Sequence, residues 1–362
     1  MIFYLQDWLR NYFTFFNVFG YITFRTFMAV ITAFLISMFI YPRFIAWMRR
    51  EKTGQNIRKE GPSSHFVKKG TPTMGGLVIL LSIIINIFLW TDFIFNSYVQ
   101  LVTFTVIAFG ALGFYDDILN VMGKEALGLR ARKKLIAQIV ISLIFMFFLY
   151  GMKDYSTELI VPGIKALSPD LGIWYIPFGA LVIVGTSNAF NLADGMDGLA
   201  VVPGLISMVL LTVMVYIVGH ATFAGYLHLF FIAEAGELAI MAGALMGASL
   251  AFLWYNSYPA EIFMGDTGSL TIGAFMGMFT LITKTELLSI IFNGIFVIEA
   301  LSVILQVTRF KISGRRFFLM APIHHHFEMK MKGKNKEPKI VVRFWIVAIL
   351  LAILSISLIK VR

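Results

Sequence analysis

Among 362 residues there is no cysteine, and only 14% are Asp, Glu, Lys or Arg. The first absence removes disulfides, thiolate metal sites and cysteine nucleophiles together, so any metal must be held by oxygen or imidazole. The second leaves too few charged groups to cover a water-soluble globule when 59% of the chain is hydrophobic. The alternating ten-residue segments of a membrane barrel are also missing. The opening MIFYLQDWLRNYFTFFNVFGY has neither a basic start nor a small-residue cleavage site, so it reads as an aromatic, interfacial lead-in to a first span and not as a signal peptide. What remains is an all-α, polytopic integral membrane protein, read as one domain over residues 1–362.

Apolar runs of about 20 residues cross a hydrocarbon core of roughly 30 Å. They fall at 21–42, 74–92, 98–115, 135–150, 173–190, 199–218, 238–255, 268–282, 287–308 and 340–359, which predicts about ten transmembrane helices. The stretch 222–233 is short and interrupted and reads as re-entrant or interfacial. The formal charge is +10, but its distribution argues against nucleic acid. Lys and Arg gather at 43–69, 124–134 and 309–339, three segments that share one side if the helices alternate. By the positive-inside rule that side is the cytoplasm, and both termini lie outside. Alternation adds 190–198 and 256–267 to the same side, and neither contains Lys or Arg.

Those five segments carry the chemistry. In HFVKKGTPTMGGL, Lys68 and Lys69 precede a turn containing Thr73 at the start of the second span, so ammonium groups, a hydroxyl and helix-start N–H groups meet as a phosphate requires. Juxtamembrane lysines beside a plain turn are the bland alternative. Asp116 and Asp117 end the third span about 100° apart around a helix, so both can border one cavity without pointing the same way. Lys124, Arg130, Arg132, Lys133 and Lys134 follow and attract headgroups or a charged substrate. In SNAFNLADGMDGLA, Asn188, Asn191, Asp194 and Asp197 recur every three residues along one side of a helical turn. The DGMDG run lacks the other ligands of a calcium loop. In WYNSYPAEIFMGDTGSL, Asn256, Glu261 and Asp266 flank Phe263, and an acid in a Gly-Asp-Thr-Gly-Ser helix start is either a magnesium–phosphate site or a helix N-cap. In APIHHHFE, the adjacent His324, His325 and His326 diverge by about 100° each, which suits donors toward phosphates better than one shared zinc. Together the segments describe a magnesium-dependent site for a phosphorylated substrate on the cytoplasmic face.

YDD, NAFNLADGMDGLA, NSYPAEIFMGDTGS and APIHHHFE, in this order and separated by apolar spans, closely resemble the polyprenyl-phosphate N-acetylhexosamine 1-phosphate transferases, and within them the bacterial MraY family. The resemblance covers essentially the whole chain, including KKGTPTMGG. It implies transfer of phospho-N-acetylmuramoyl-pentapeptide from a UDP-linked donor to undecaprenyl phosphate, giving lipid I and UMP, at a bacterial cytoplasmic (inner) membrane. It further implies Mg2+ on Asp266 with help from Asp117, and Asp116 as the group that positions or deprotonates the acceptor phosphate. Asn191, Asp194, Asp197, Asn256 and Phe263 would hold the nucleoside, and Asn188 would also bind substrate. Lys68, Lys69, Thr73, Lys134, His324, His325 and His326 would contact phosphates or sugar. A one-step displacement and an aspartyl-phosphate route both stay open, and a homodimer is compatible with this reading. The same chemistry on UDP-N-acetylglucosamine is the nearest alternative. A secondary transporter fits less well, because the acids sit at span ends and no inverted repeat is visible. A non-catalytic scaffold would not need five polar clusters.

Overall fold

The computed structural model describes residues 2–9, 12–51, 70–121, 128–153, 155–164, 167–333 and 336–359; Lys68, Lys69 and Lys124 lie outside them. Fourteen α-helices run through the described residues: α1 (Ile2–Leu9), α2 (Ile22–Arg50), α3 (Gly76–Trp90), α4 (Ser97–Val121), α5 (Ala131–Tyr150), α6 (Tyr175–Ala193), α7 (Val201–Val218), α8 (Ala221–Leu227), α9 (Leu238–Asn256), α10 (Gly265–Ile282), α11 (Glu286–Phe292), α12 (Gly294–Ser313), α13 (Ile323–Lys330) and α14 (Lys336–Ile359). No strand forms among them; Glu158 and Asp170 make an isolated bridge. A helix satisfies its own backbone, which a segment surrounded by lipid must do.

Nine of the ten apolar runs each coincide with one helix and 287–308 with the α11–α12 pair, but not all ten are built to face lipid. Seven helices are long and apolar enough to cross a membrane, or eight if α11 and α12, bent by 86° at Asn293, count as one span. The two that fall short are α3, with 15 residues, and α10, which is 18 residues long and interrupted by Gly, Thr and Ser. Their weakness has a physical reason. Helix α10 is buried from Thr267 to Ile282, so protein and not lipid surrounds it. Peripheral helices such as α2, α5 and α14 instead turn Phe27, Phe39, Phe147 and Ile353 outward.

Close backbone approach sets the centre of the bundle. A Cβ on Gly76 would lie 2.1 Å from the Gly268 Cα, and one on Gly113 would lie 2.3 Å from the Asp266 carbonyl oxygen. The start of α10 is therefore clamped between α3 and α4, as small residues permit in membrane bundles. At a different point Arg25 donates to both Glu237 carboxylate oxygens, at 2.9 and 2.5 Å, and to the Trp90 carbonyl at 3.0 Å, tying α2 to α3 and α9. An apolar cavity of about 270 Å³ lies between α6 and the bent α11–α12 pair, lined by Leu181, Ala189, Phe296 and Ala300.

Candidate active site

Four helix ends converge at the clamp: the C-terminal turns of α4 and α6 and the first turns of α5 and α10. Lys134 is the link. Its ammonium donates to Asp116 Oδ2 at 3.2 Å and makes a closer contact with Asp266 Oδ2. Asn191 Nδ2 donates to the other oxygen of Asp266 and to Ser269 Oγ, each at 2.7 Å. Asp116 Oδ1 also takes the Leu129 backbone N–H. Gly128 makes that turn possible: its φ is +67°, and a Cβ there would come 2.5 Å from Asp116 Oδ1.

Asp117 faces elsewhere. Its Oδ1 accepts the Asp266 N–H at 2.9 Å, and its Oδ2 accepts the Thr267 N–H at 2.9 Å and the Thr267 hydroxyl at 2.6 Å. A side chain of α4 thus satisfies the orphan donors that open α10, the work of an N-cap supplied from another helix. Gly265, with φ +74°, permits the approach, since a Cβ would stand 2.7 Å from Asp117 Oδ2. The Asp266 of the sequence motif is therefore not its own cap.

The nearby loops are tied to this cluster by backbone. Gly75 N–H donates to the Phe263 carbonyl and Phe263 N–H to the Pro72 carbonyl, both at 2.8 Å, which seats buried Thr73 and half-buried Phe263 on paired segments. Asn256 is 2% exposed and locks two loops, accepting the Gly198 N–H and donating to the Ile262 carbonyl, each at 2.9 Å. Asp197 Oδ2 accepts the Ala260 N–H at 3.0 Å. Asn188 donates to Gln138 Oε1 at 2.7 Å, so it braces α6 against α5. Asp194 is half-buried just past the end of α6. Burial, and then the carboxylates of Asp266, Asp197 and Asp117, push its pKa up to about 7.

The three histidines separate as their helical spacing requires. His324 is wholly buried, with Nδ1 3.1 Å from Glu299 Oε2. His325 is partly open and pairs with Glu328 at 3.1 Å, while His326 Nδ1 accepts the Leu319 N–H at 3.2 Å. Sequence reasoning missed Gln138, Thr267, Ser269 and Glu299. Glu299 did leave a signal, as the lone acid in the apolar run GIFVIEALSVILQV.

Among the described residues no three Asp, Glu or His side chains stand together as a metal cage. Magnesium does not need one, because it binds through one or two carboxylates and completes its shell with waters and substrate phosphates. Asp116 and Asp266 already turn an oxygen each toward a single cation, the Lys134 ammonium, so the residues fit the ion. Asp117 has about one free lone pair left after three hydrogen bonds.

Comparison with known proteins identifies the family. The family model for glycosyl transferase family 4 matches residues 99–284. The phospho-N-acetylmuramoyl-pentapeptide-transferase signature 1 matches residues 68–80. Three relatives carry the name phospho-N-acetylmuramoyl-pentapeptide-transferase. The one from Desulforapulum autotrophicum is 48% identical over 363 residues, covering 100% of both chains. The one from Pelobacter propionicus is 50% identical over 347 residues, 96% of each chain. The one from Thermodesulfovibrio yellowstonii is 48% identical over 357 residues, 98% of each. With full-length identity near one half and a family model spanning more than half of its residues, the chain belongs to glycosyl transferase family 4, among the phospho-N-acetylmuramoyl-pentapeptide-transferases.

Proposed function

We propose that this protein transfers phospho-N-acetylmuramoyl-pentapeptide from its UDP-linked donor to undecaprenyl phosphate, forming lipid I and releasing UMP at the inner face of a bacterial cytoplasmic membrane. The observation that carries the reading is the junction of Asp116, Lys134, Asn191 and Asp266 at the ends of membrane helices. That is where a lipid's phosphate and a soluble nucleotide sugar can meet. The apolar cavity between α6 and α12 lies beside the same turn of α6, through Ala189, and suits a polyprenyl tail.

In this reading an oxygen of the acceptor phosphate attacks the sugar-bearing phosphorus of the donor pyrophosphate; that P–O bond forms as the bond to UMP breaks. The protein's task is alignment and charge neutralisation. Asp266, with Asp116 or the remaining lone pair of Asp117, would hold magnesium, which when bound neutralises pyrophosphate and UMP oxygens. Asn191 fixes the Asp266 carboxylate. Asp116 orients the acceptor phosphate and takes its proton where one remains; a monoester with a second pKa near 6 is already largely dianionic at neutral pH. Lys134 holds the two acids together until substrate arrives and then faces its phosphates. Phe263 stacks on the uracil and the loop through Asp194 and Asp197 borders the nucleoside, while Lys68, Lys69, Thr73 and His325 serve phosphates or sugar.

Purified protein given the muramoyl-pentapeptide nucleotide should release UMP, and given UDP-N-acetylglucosamine should not. Preference for the second donor would move the protein to the neighbouring branch. We read all ten runs as spans, which puts both termini outside and the five polar segments in the cytoplasm. The basic segments favour that side. Cysteines introduced beside Asp194 or Gly333 should stay unlabelled by an impermeant thiol reagent on intact cells; labelling at either would reverse the orientation.

A further inference from the structure

Glu299 is the one acid of α12, wholly buried in its second turn, in a helix whose other faces expose Ile298, Leu301 and Ile304. An acid in that position is costly unless it has a partner. Its Oε2 stands 3.1 Å from His324 Nδ1, and neither oxygen of Glu299 nor either nitrogen of His324 makes a well-aligned hydrogen bond. The opposite edge of the imidazole meets the loop between Asp194 and Asp197. A Cβ on Gly195 would fall 2.3 Å from His324 Nε2 and 2.8 Å from Cε1. That loop is held from its far side by Asn256, through the Gly198 N–H. Glu299, His324 and Gly195 thus form a continuous stack from the body of α12 to the loop.

We propose that Glu299 is a positioning residue: it orients the buried His324 ring, and the ring sets the height of the 194–198 loop against which the donor's nucleoside binds. The role assigned to that loop rests on the function proposed above. His324 then acts from behind the site, leaving the partly exposed His325 and His326 as the histidines that can reach substrate. A carboxylate that fixes the plane of an imidazole changes what that imidazole supports; behind a metal-ligating histidine its loss costs about 10–100-fold, and by analogy about tenfold is expected at this loop.

The test uses full-length protein in detergent. The chain lacks cysteine, so Met196→Cys, at a position 4% exposed in the loop, reports loop packing through its rate of reaction with a thiol reagent. Glu299→Gln should raise that rate about tenfold, weaken equilibrium binding of UMP and raise the donor KM by a similar factor, and leave the undecaprenyl phosphate KM unchanged. Combining it with His324→Asn should add little, because both changes break one stack. Unchanged labelling, or equal losses for donor and acceptor, would overturn the proposal. If Glu299→Gln does not fold, Gly195→Ala tests the other end of the stack, since its methyl must displace the ring; unaltered UMP affinity there would also overturn it. A parent protein that binds no UMP would refute the function proposed above, while the labelling comparison still decides the role of Glu299.

Discussion

Asp116 and Asp117 are neighbours in sequence with different surroundings, because successive residues of a helix point about 100° apart. Asp116 turns to the Lys134 ammonium, whereas Asp117 receives three hydrogen bonds from the opening of α10. Asp117→Asn removes the charge and turns one of the two accepting oxygens into an NH2 that cannot accept from the opening of α10, and charge-assisted bonds to backbone N–H groups are about twice as strong as neutral ones. Turnover should fall by about tenfold or more, and an unchanged magnesium concentration for half-maximal rate would assign Asp117 to the cap alone. A magnesium requirement raised in parallel would make Asp117 a ligand. The divergence of the two acids was legible in the sequence. Their partners were not, since Thr267 is 150 residues away and only the packing of α4 on α10 brings it near. Lys134 is similar: the sequence offered it as a phosphate contact, and the fold gives it two carboxylates to hold first.

At the scale of elements, the site depends on how closely α3, α4 and α10 approach. Gly76→Ala would drive a methyl into the Gly268 backbone 2.1 Å away, where no side chain can move aside. Overpacking of this kind costs about 1–3 kcal/mol or more, and the melting temperature in detergent should drop accordingly. Gly185→Ala on α6, with nothing within 4 Å of the new methyl, should leave the melting temperature unchanged or raise it. Equal effects at both positions would refute the clamp. Element positions were readable because hydrophobic length is a strong signal, and all ten runs became helices. The 86° bend was not read, although Asn293-Gly294 within the first third or so of the 287–308 run marked it. Burial of α10 on every side also escaped, because apolar content alone does not separate a lipid-facing helix from one enclosed by its neighbours.

For the whole molecule, five polar segments far apart in sequence join into one surface. The 72–76 turn pairs with 263–264, Asn256 bonds Gly198, His324 backs Gly195, and Asp116, Asn191 and Asp266 meet around Lys134. That convergence is what a reaction between a membrane-held phosphate and a soluble nucleotide requires, and it explains why acids end apolar spans here. The most direct measurement is UMP release from UDP-N-acetylmuramoyl-pentapeptide by the purified protein, with and without undecaprenyl phosphate and magnesium. Release should require both, with the sugar phosphate recovered in the lipid fraction and with Asp266→Asn inactive though folded. UMP release that proceeds equally without the lipid, or an Asp266→Asn protein that turns over normally, would contradict the account.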